Sequence, residues 1–324
     1  MLTAEDGMAG ALSQVRTPGG AVLTRRSGTA QRGTGKPMIG SQGRFRIASA
    51  SKPVIAATVL RLAGRKKIDL NATVERYLPG VLRGTGAGAG IDGRKITVRM
   101  LLQQTSGLPE FLDAIDWGRP LPDFLRVALA RKPTARGSFA YANTNYLVLG
   151  MIVTKVSGRD FRQVSRDLIL KPYGMRDTYW PAEGDNGIRG PHAHTYGVHP
   201  ARPQDGKVDL TGRLPTYVFG ASGGLVSTPE DLNRFWAEAP LSSMTTRTVP
   251  VEQEGWPEGA RYGYGVTRMR SSCGYTYFAA GDMPGAAVFT GRDRAGRAAT
   301  VYTTGVPRNR QHLIDAFTSA MCER

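Results

Sequence analysis

Ser49 and Lys52 stand three residues apart in the stretch R-F-R-I-A-S-A-S-K-P-V-I-A-A-T-V-L-R-L, residues 44–62, where an apolar strand-like run gives way to an apolar helix-like run. On a helix, that spacing puts two side chains on one face one turn apart, so an amine can reach a hydroxyl. A serine becomes a useful nucleophile when a base takes its proton, and a lysine serves as that base only while its amine is neutral. Bringing the amine from about 10.4 to near 7 disfavours the charged form by about 4 to 5 kcal/mol, which requires burial or nearby positive charge. Ile47, Ala48, Val54, Ile55 and Ala56 offer an apolar wall, and the positive end of a helix dipole acts in the same direction. The plainer reading of the pair is a helix cap followed by a solvated lysine. Pro53 bears on both readings: it favours the first helical turn and pushes Lys52 away from helical angles, leaving the helix start open by a residue or two.

A second polar group stands at the entrance of another helix. From Phe139 the chain reads F-A-Y-A-N-T-N-Y-L-V-L-G-M-I-V-T-K-V-S-G, a loop leading into an amphipathic helix of about fourteen residues with Gly158 just past its end. Taken alone, Tyr141 reads as a half-buried aromatic and Asn143 as an N-cap.

The elements that must carry these residues follow from local pattern. Residues 3–15 are expected to form a short helix, Ala21–Thr24 a strand, and a polar glycine-rich hairpin runs on to about residue 43. Thr97 can cap a helix from Val98 to about Gln104. Thr228, Pro229 and Asp231 make a clear helix start, with Asp231 at the capping-box position. Tyr262–Arg270, Tyr275–Ala279, Ala286–Thr290 and Ala298–Thr303 read as successive antiparallel strands, and 308–321 as a closing helix. Strands at both ends with helices between predict an antiparallel sheet built from the two termini, residues 1–75 and 220–324, with a mostly helical insertion over 76–219.

Composition narrows the function classes. A chain of 324 residues that is 40% hydrophobic can bury a core, and no run reaches the length that crosses a bilayer. The formal charge of +17 invites a nucleic-acid reading, but the basic residues are dispersed, so no nucleic-acid partner is expected; attraction to an anionic polymer such as a cell wall fits better. Residues 83–95, R-G-T-G-A-G-A-G-I-D-G-R-K, lack the strand, helix and Gly-Lys-Ser/Thr of a phosphate loop and read as a flexible surface loop. Residues 181–215 show no period and read as a long loop walling a cleft. His192 and His194 there have no partner at a ligand spacing, so neither a metal nor another cofactor is implied. Cys273 and Cys322 form one bridge or are two unrelated buried thiols. The N-terminal residues carry acids and no basic region, unlike a signal peptide; the protein is secreted or wall-associated if such a segment was removed.

Four motifs occur together: S-A-S-K at 49–52, Q-Q-T-S-G-L-P at 103–109, Y-A-N at 141–143 and G-A-S-G-G-L-V-S-T-P-E-D-L at 220–232. In order and rough spacing they resemble the penicillin-recognising serine hydrolases from about residue 18 onward, and look most similar to the secreted actinobacterial D-alanyl-D-alanine carboxypeptidases, then to class C β-lactamases and related esterases. The resemblance implies an α/β fold with an all-helical insertion and the site between them. It implies acylation of Ser49, proton transfer through Lys52 and Tyr141, and an amide contact from Asn143. It also implies an oxyanion cradle from the backbone N–H groups of Ser49 and Asp282, and a disulfide between Cys273 and Cys322. The acyl donor would be a peptide or small molecule, with β-lactams as further ligands. The chain departs from the family at Y-F-A-A-G-D-M-P-G, 277–285, where Ala279 and Ala280 occupy the basic and hydroxyl positions of H-T-G or K-T-G, while Gly281 is kept. An Asp282 carboxylate facing the cleft would repel a substrate carboxylate, and Arg268 or Arg270 could compensate. The expected activity is therefore carboxypeptidase-like, with an esterase or transacylase of a specialised metabolite, or a catalytically silent sensor, as alternatives.

Overall fold

The computed structural model describes residues 2–323. In chain order its strands are β1 (Gly10–Arg16), β2 (Val22–Gly28), β3 (Phe45–Arg46), β4 (Tyr196–His199), β5 (Arg202–Asp209), β6 (Val226–Ser227), β7 (Val249–Pro250), β8 (Arg261–Tyr262), β9 (Thr267–Ser271), β10 (Gly274–Met283), β11 (Ala286–Asp293) and β12 (Ala298–Thr303). The helices that matter below are α1 (Lys52–Gly64), α2 (Val98–Leu102), α3 (Asn143–Ser157), α4 (Pro229–Glu238) and α5 (Arg310–Cys322), and a 3-10 turn covers Ala48–Ser51. The fold is mixed α/β with an antiparallel sheet and flanking helices.

Two compact units divide the chain. The first comprises the chain up to Ser51, Leu170–Ala239 and the chain from Arg270. Its sheet runs β2-β1-β12-β11-β10, with neighbours antiparallel. Adjacent residues of β11 show how both faces are covered, because side chains alternate along a strand. Thr290 accepts a hydrogen bond from Trp236 Nε1 of α4 at 2.8 Å, whereas Phe289 packs on Phe317 of α5 with ring centroids 5.8 Å apart. Residues 3–15 do not form the expected helix. Residues 10–16 are strand β1, bonded to β2 on one side and β12 on the other, and that two-sided pairing outweighs the helical pattern. The expected loop 181–215 likewise holds a hairpin, β4 with β5, in which Tyr196 faces Asp209.

The second unit comprises Lys52–Ile169 and Pro240–Met269. Here α1 and α2 pack on α3, and β7, β8 and the start of β9 form a short ribbon. Thr97 caps α2 by accepting from Met100 N, and Gly158 ends α3 in the left-handed region at φ 66°. The boundaries therefore differ from the expected 1–75 and 220–324 against 76–219. Residues 52–75 travel with the helices because α1 is buried against α3. Residues 170–219 travel with the sheet, where the Arg46 guanidinium donates to the carbonyls of Asn186 and Thr211 at 2.6 and 2.5 Å.

Cys273, just before β10, is bonded to Cys322 at the end of α5, with the Cα atoms 5.4 Å apart and a sequence separation of 49. Closing a loop of that length restricts the unfolded chain by about 4 kcal/mol on the chain-entropy account. The double substitution Cys273→Ser, Cys322→Ser is expected to lose about that much unfolding free energy. Equal denaturation midpoints for the variant and the oxidised protein would contradict it.

Candidate functional site

Ser49 lies in the turn Ala48–Ser51 of the first unit, half-buried between fully buried neighbours. Ala48 takes φ +46°, a left-handed angle that costs a residue with a Cβ on the order of 1 kcal/mol and persists only where surroundings enforce it. The enforcement is visible. Ile47 N donates to Leu225 O at 3.1 Å, Leu225 N donates to Ser51 Oγ at 3.2 Å, and Ser51 Oγ donates to Ala48 O at 2.7 Å. Gly223 passes close beneath, where a Cβ would lie 3.4 Å from the Ala48 carbonyl carbon. The stretch 220–232 thus serves as the bed of the serine turn.

Strand β10 lies against the same turn. A Cβ at Gly281 would collide with Ile47 O and sit 3.0 Å from Ala50 N, so this position accepts only glycine. Met283, two residues on and therefore on the same face, clusters with Ala48. Ala279 shares that face by the same period, which presents a methyl where the resembling enzymes carry a base. Asp282 points the other way. Its carboxylate pairs with Arg310 of α5 at 2.5 Å, on the face where Phe278 packs on Phe317, and burial raises its pKa while Arg310 works against that rise. The alternation of the strand therefore turns this carboxylate away from the face that meets the serine turn, so the condition for opposing a substrate carboxylate is not met; only its backbone N–H remains a candidate.

The second unit holds Lys52, Tyr141 and Asn143 together. Lys52, the first residue of α1, is 2% exposed, and its Nζ donates to Asn143 Oδ1 at 2.7 Å. The amine lies 4.8 Å from the ring centre of Tyr141 and 5.6 Å from that of Tyr146. Burial lowers its pKa to about 7, against the opposing pull of the Glu110 carboxylate. The chain crosses from one unit to the other at the Ser51–Lys52 peptide bond, so Ser49 and Lys52 belong to different units yet are separated by two residues of continuous turn and helix.

Four residues to which the sequence assigns no individual role, Gln104 and Ser106 of the 103–109 motif with Thr144 and Glu110, build this cluster. Gln104, at φ +60°, uses Oε1 to accept from Ala142 N at 3.1 Å and from Asn145 Nδ2, and its own carbonyl accepts from Ala140 N at 2.9 Å. Ser106 Oγ donates to Asn145 Oδ1 at 2.5 Å, and Thr144 Oγ1 donates to Pro109 O at 2.6 Å. The motif at 103–109 is therefore a clamp on Y-A-N-T-N. Glu110 follows it, with Oε2 accepting from both Asn143 N at 2.7 Å and Asn143 Nδ2 at 3.0 Å. Its only signal in the sequence is an acid directly after the motif. Among the described residues no cluster of His, Cys, Asp or Glu could hold a metal, and His194 pairs with Asp209 at 2.6 Å.

The pattern of the Beta-lactamase family matches residues 2–319. The chain belongs to the beta-lactamase family. That membership places it in the superfamily of penicillin-recognising serine hydrolases. It is 31% identical over 215 residues to esterase EstB of Burkholderia gladioli, covering 61% of this chain and 54% of that protein, so it spans about half the length of that curated relative. A D-stereospecific amidohydrolase from Streptomyces superposes with a TM-score of 0.82 at 28% identity, covering 98% of this chain and 95% of the other. The D-amino acid amidase of Ochrobactrum anthropi SV3, at 24% identity, a TM-score of 0.80 and coverage of 97% and 93%, shares the fold.

Burial of Lys52 has a stability signature independent of any reaction. Its amine is neutral in the folded protein above about pH 7 and charged in the unfolded chain up to about pH 10. Unfolding takes up a proton in that window, so stability rises with pH there. Between pH 7.5 and 9.5 the wild type is expected to gain up to about 2 kcal/mol relative to Lys52→Met, measured by chemical denaturation. Parallel pH profiles of the two proteins would show that the amine is not held neutral.

Proposed function

We propose that this chain is a serine acyl-transfer enzyme that cleaves esters or amides through a Ser49 acyl-enzyme. The observation that carries the reading is the buried Lys52 amine, with its pKa brought to about 7, bonded to Asn143 and lying under Tyr141, two residues of chain away from Ser49. In the proposed mechanism the neutral amine takes the Ser49 proton as Oγ attacks the acyl carbon. The backbone N–H groups of Ser49 and Asp282 receive the oxyanion. Tyr141 passes a proton to the leaving group and later activates the incoming water or amine, and the Asn143 amide holds the acyl side.

The substrate side favours donors without a free carboxylate next to the scissile bond. Ala279 offers no cation on the strand face that meets the serine turn, and Arg310 is engaged with Asp282. An ester, or the amide of a D-configured residue, fits that surface better than a D-Ala-D-Ala terminus; the Streptomyces and Burkholderia relatives bear names of those two classes. The Cys273–Cys322 disulfide fits an oxidising compartment and supports a secreted enzyme.

A fluorophosphonate is expected to label the wild type at Ser49 and to leave Ser49→Ala unmodified; labelling that persists in the variant sinks the assignment. Side-by-side turnover of a nitrophenyl ester, a D-amino acid amide and a D-Ala-D-Ala peptide is expected to favour the first two by at least tenfold. Preferential D-Ala release would instead establish the carboxypeptidase, and capture of a β-lactam without release a sensor.

A further inference from the structure

Glu110 is tied more closely than a surface acid requires. Oε1 accepts from Phe111 N and Leu112 N at 2.8 and 3.0 Å, while Oε2 accepts from Asn143 N and Asn143 Nδ2. Both oxygens thus carry two donors, and the group sits at the first residue of α3, whose preceding residue Ala142 supplies no side-chain cap. A carboxylate only accepts, so the face of the Asn143 carboxamide turned toward it must be the nitrogen. Oδ1 is then the atom left for the Lys52 amine, and one Nδ2–H remains uncommitted to Glu110.

We propose that Glu110 is a positioning residue of the acyl-transfer site: its carboxylate fixes the Asn143 carboxamide with oxygen toward Lys52, and so stands one carboxamide away from the amine. The inference rests on the function proposed above. Among the described residues the phenols of Tyr141 and Tyr146 also face the amine, the latter with Tyr262 beyond it, and the Glu110 carboxylate acts on the amine with the opposite sign to burial. A glutamine at 110 keeps the shape and loses both the charge and the one-way selection, because an amide offers oxygen or nitrogen.

Two variants of the full chain, Glu110→Gln and Glu110→Ala, test this by the pH dependence of fluorophosphonate labelling at Ser49 and by NMR titration of the Lys52 side chain. Without the charge, the amine is expected to titrate about one unit or more lower in both, moving the acid limb of labelling to lower pH. At the plateau both variants are expected to raise an ester's KM, Glu110→Ala on the order of tenfold through the loosened carboxamide and Glu110→Gln by less, because an amide that still fills the site orients Asn143 only part of the time. An unmoved titration in Glu110→Gln, with only a lower melting temperature, would reduce Glu110 to a helix cap and overturn the proposal. Absence of wild-type labelling would defeat the acyl-enzyme reading instead, and the titration would still decide the role of Glu110.

Discussion

A lysine amine removed from water is the constraint around which the helical unit is built. Charged, it would demand a compensating anion; neutral, it needs only one good acceptor, and Asn143 Oδ1 supplies it. The rest of the cluster keeps that acceptor in place. Gln104, Ser106, Pro109 and Glu110 all bond to the backbone or side chains of 142–145, so the entrance of α3 is defined by hydrogen bonds to one short turn. Glu110 works against burial, which is the larger effect and brings the amine to about 7.

The sheet unit solves a different problem, that of holding a serine in a tight, partly exposed turn. Three bonds around Leu225 and Ser51 hold Ala48 in a left-handed angle, and the closeness of β10 is permitted by the missing side chain at Gly281. Leu225 and Gly223 explain why a stretch so far along the chain belongs with the serine motif.

How much of this was legible in the sequence depended on whether the signal was local. Helix ends with their own chemistry, Thr97, Gly158 and the Thr228-Pro229 start, sit where the caps place them. Strand β1 was not legible, because its identity comes from partners β2 and β12, the second nearly three hundred residues away. The β4–β5 hairpin lies in a polar stretch whose exposed residues carry no alternation. The sequence leaves the direction of the Asp282 carboxylate open because the number of a residue in a motif does not say which side of the strand it occupies; Arg310 and Gly281 do. Glu110 carries no pattern of its own, since its two donors from Asn143 come within reach only when the turn and α3 meet.

The helix α5 meets β10 near both of its ends. Cys322 is joined to the residue before the strand begins, and Arg310, at the start of the helix, holds Asp282 at the strand's far end. A strand anchored twice to one rigid rod cannot slide along its own axis. A slip of a single position would bring Ala280 or Asp282, each with a Cβ, onto the backbone of Ile47 and Ala50, and would exchange the two faces of the strand at once. The covalent tie and the ion pair together act as a registration device, keeping Gly281 opposite a turn that has no room for a side chain.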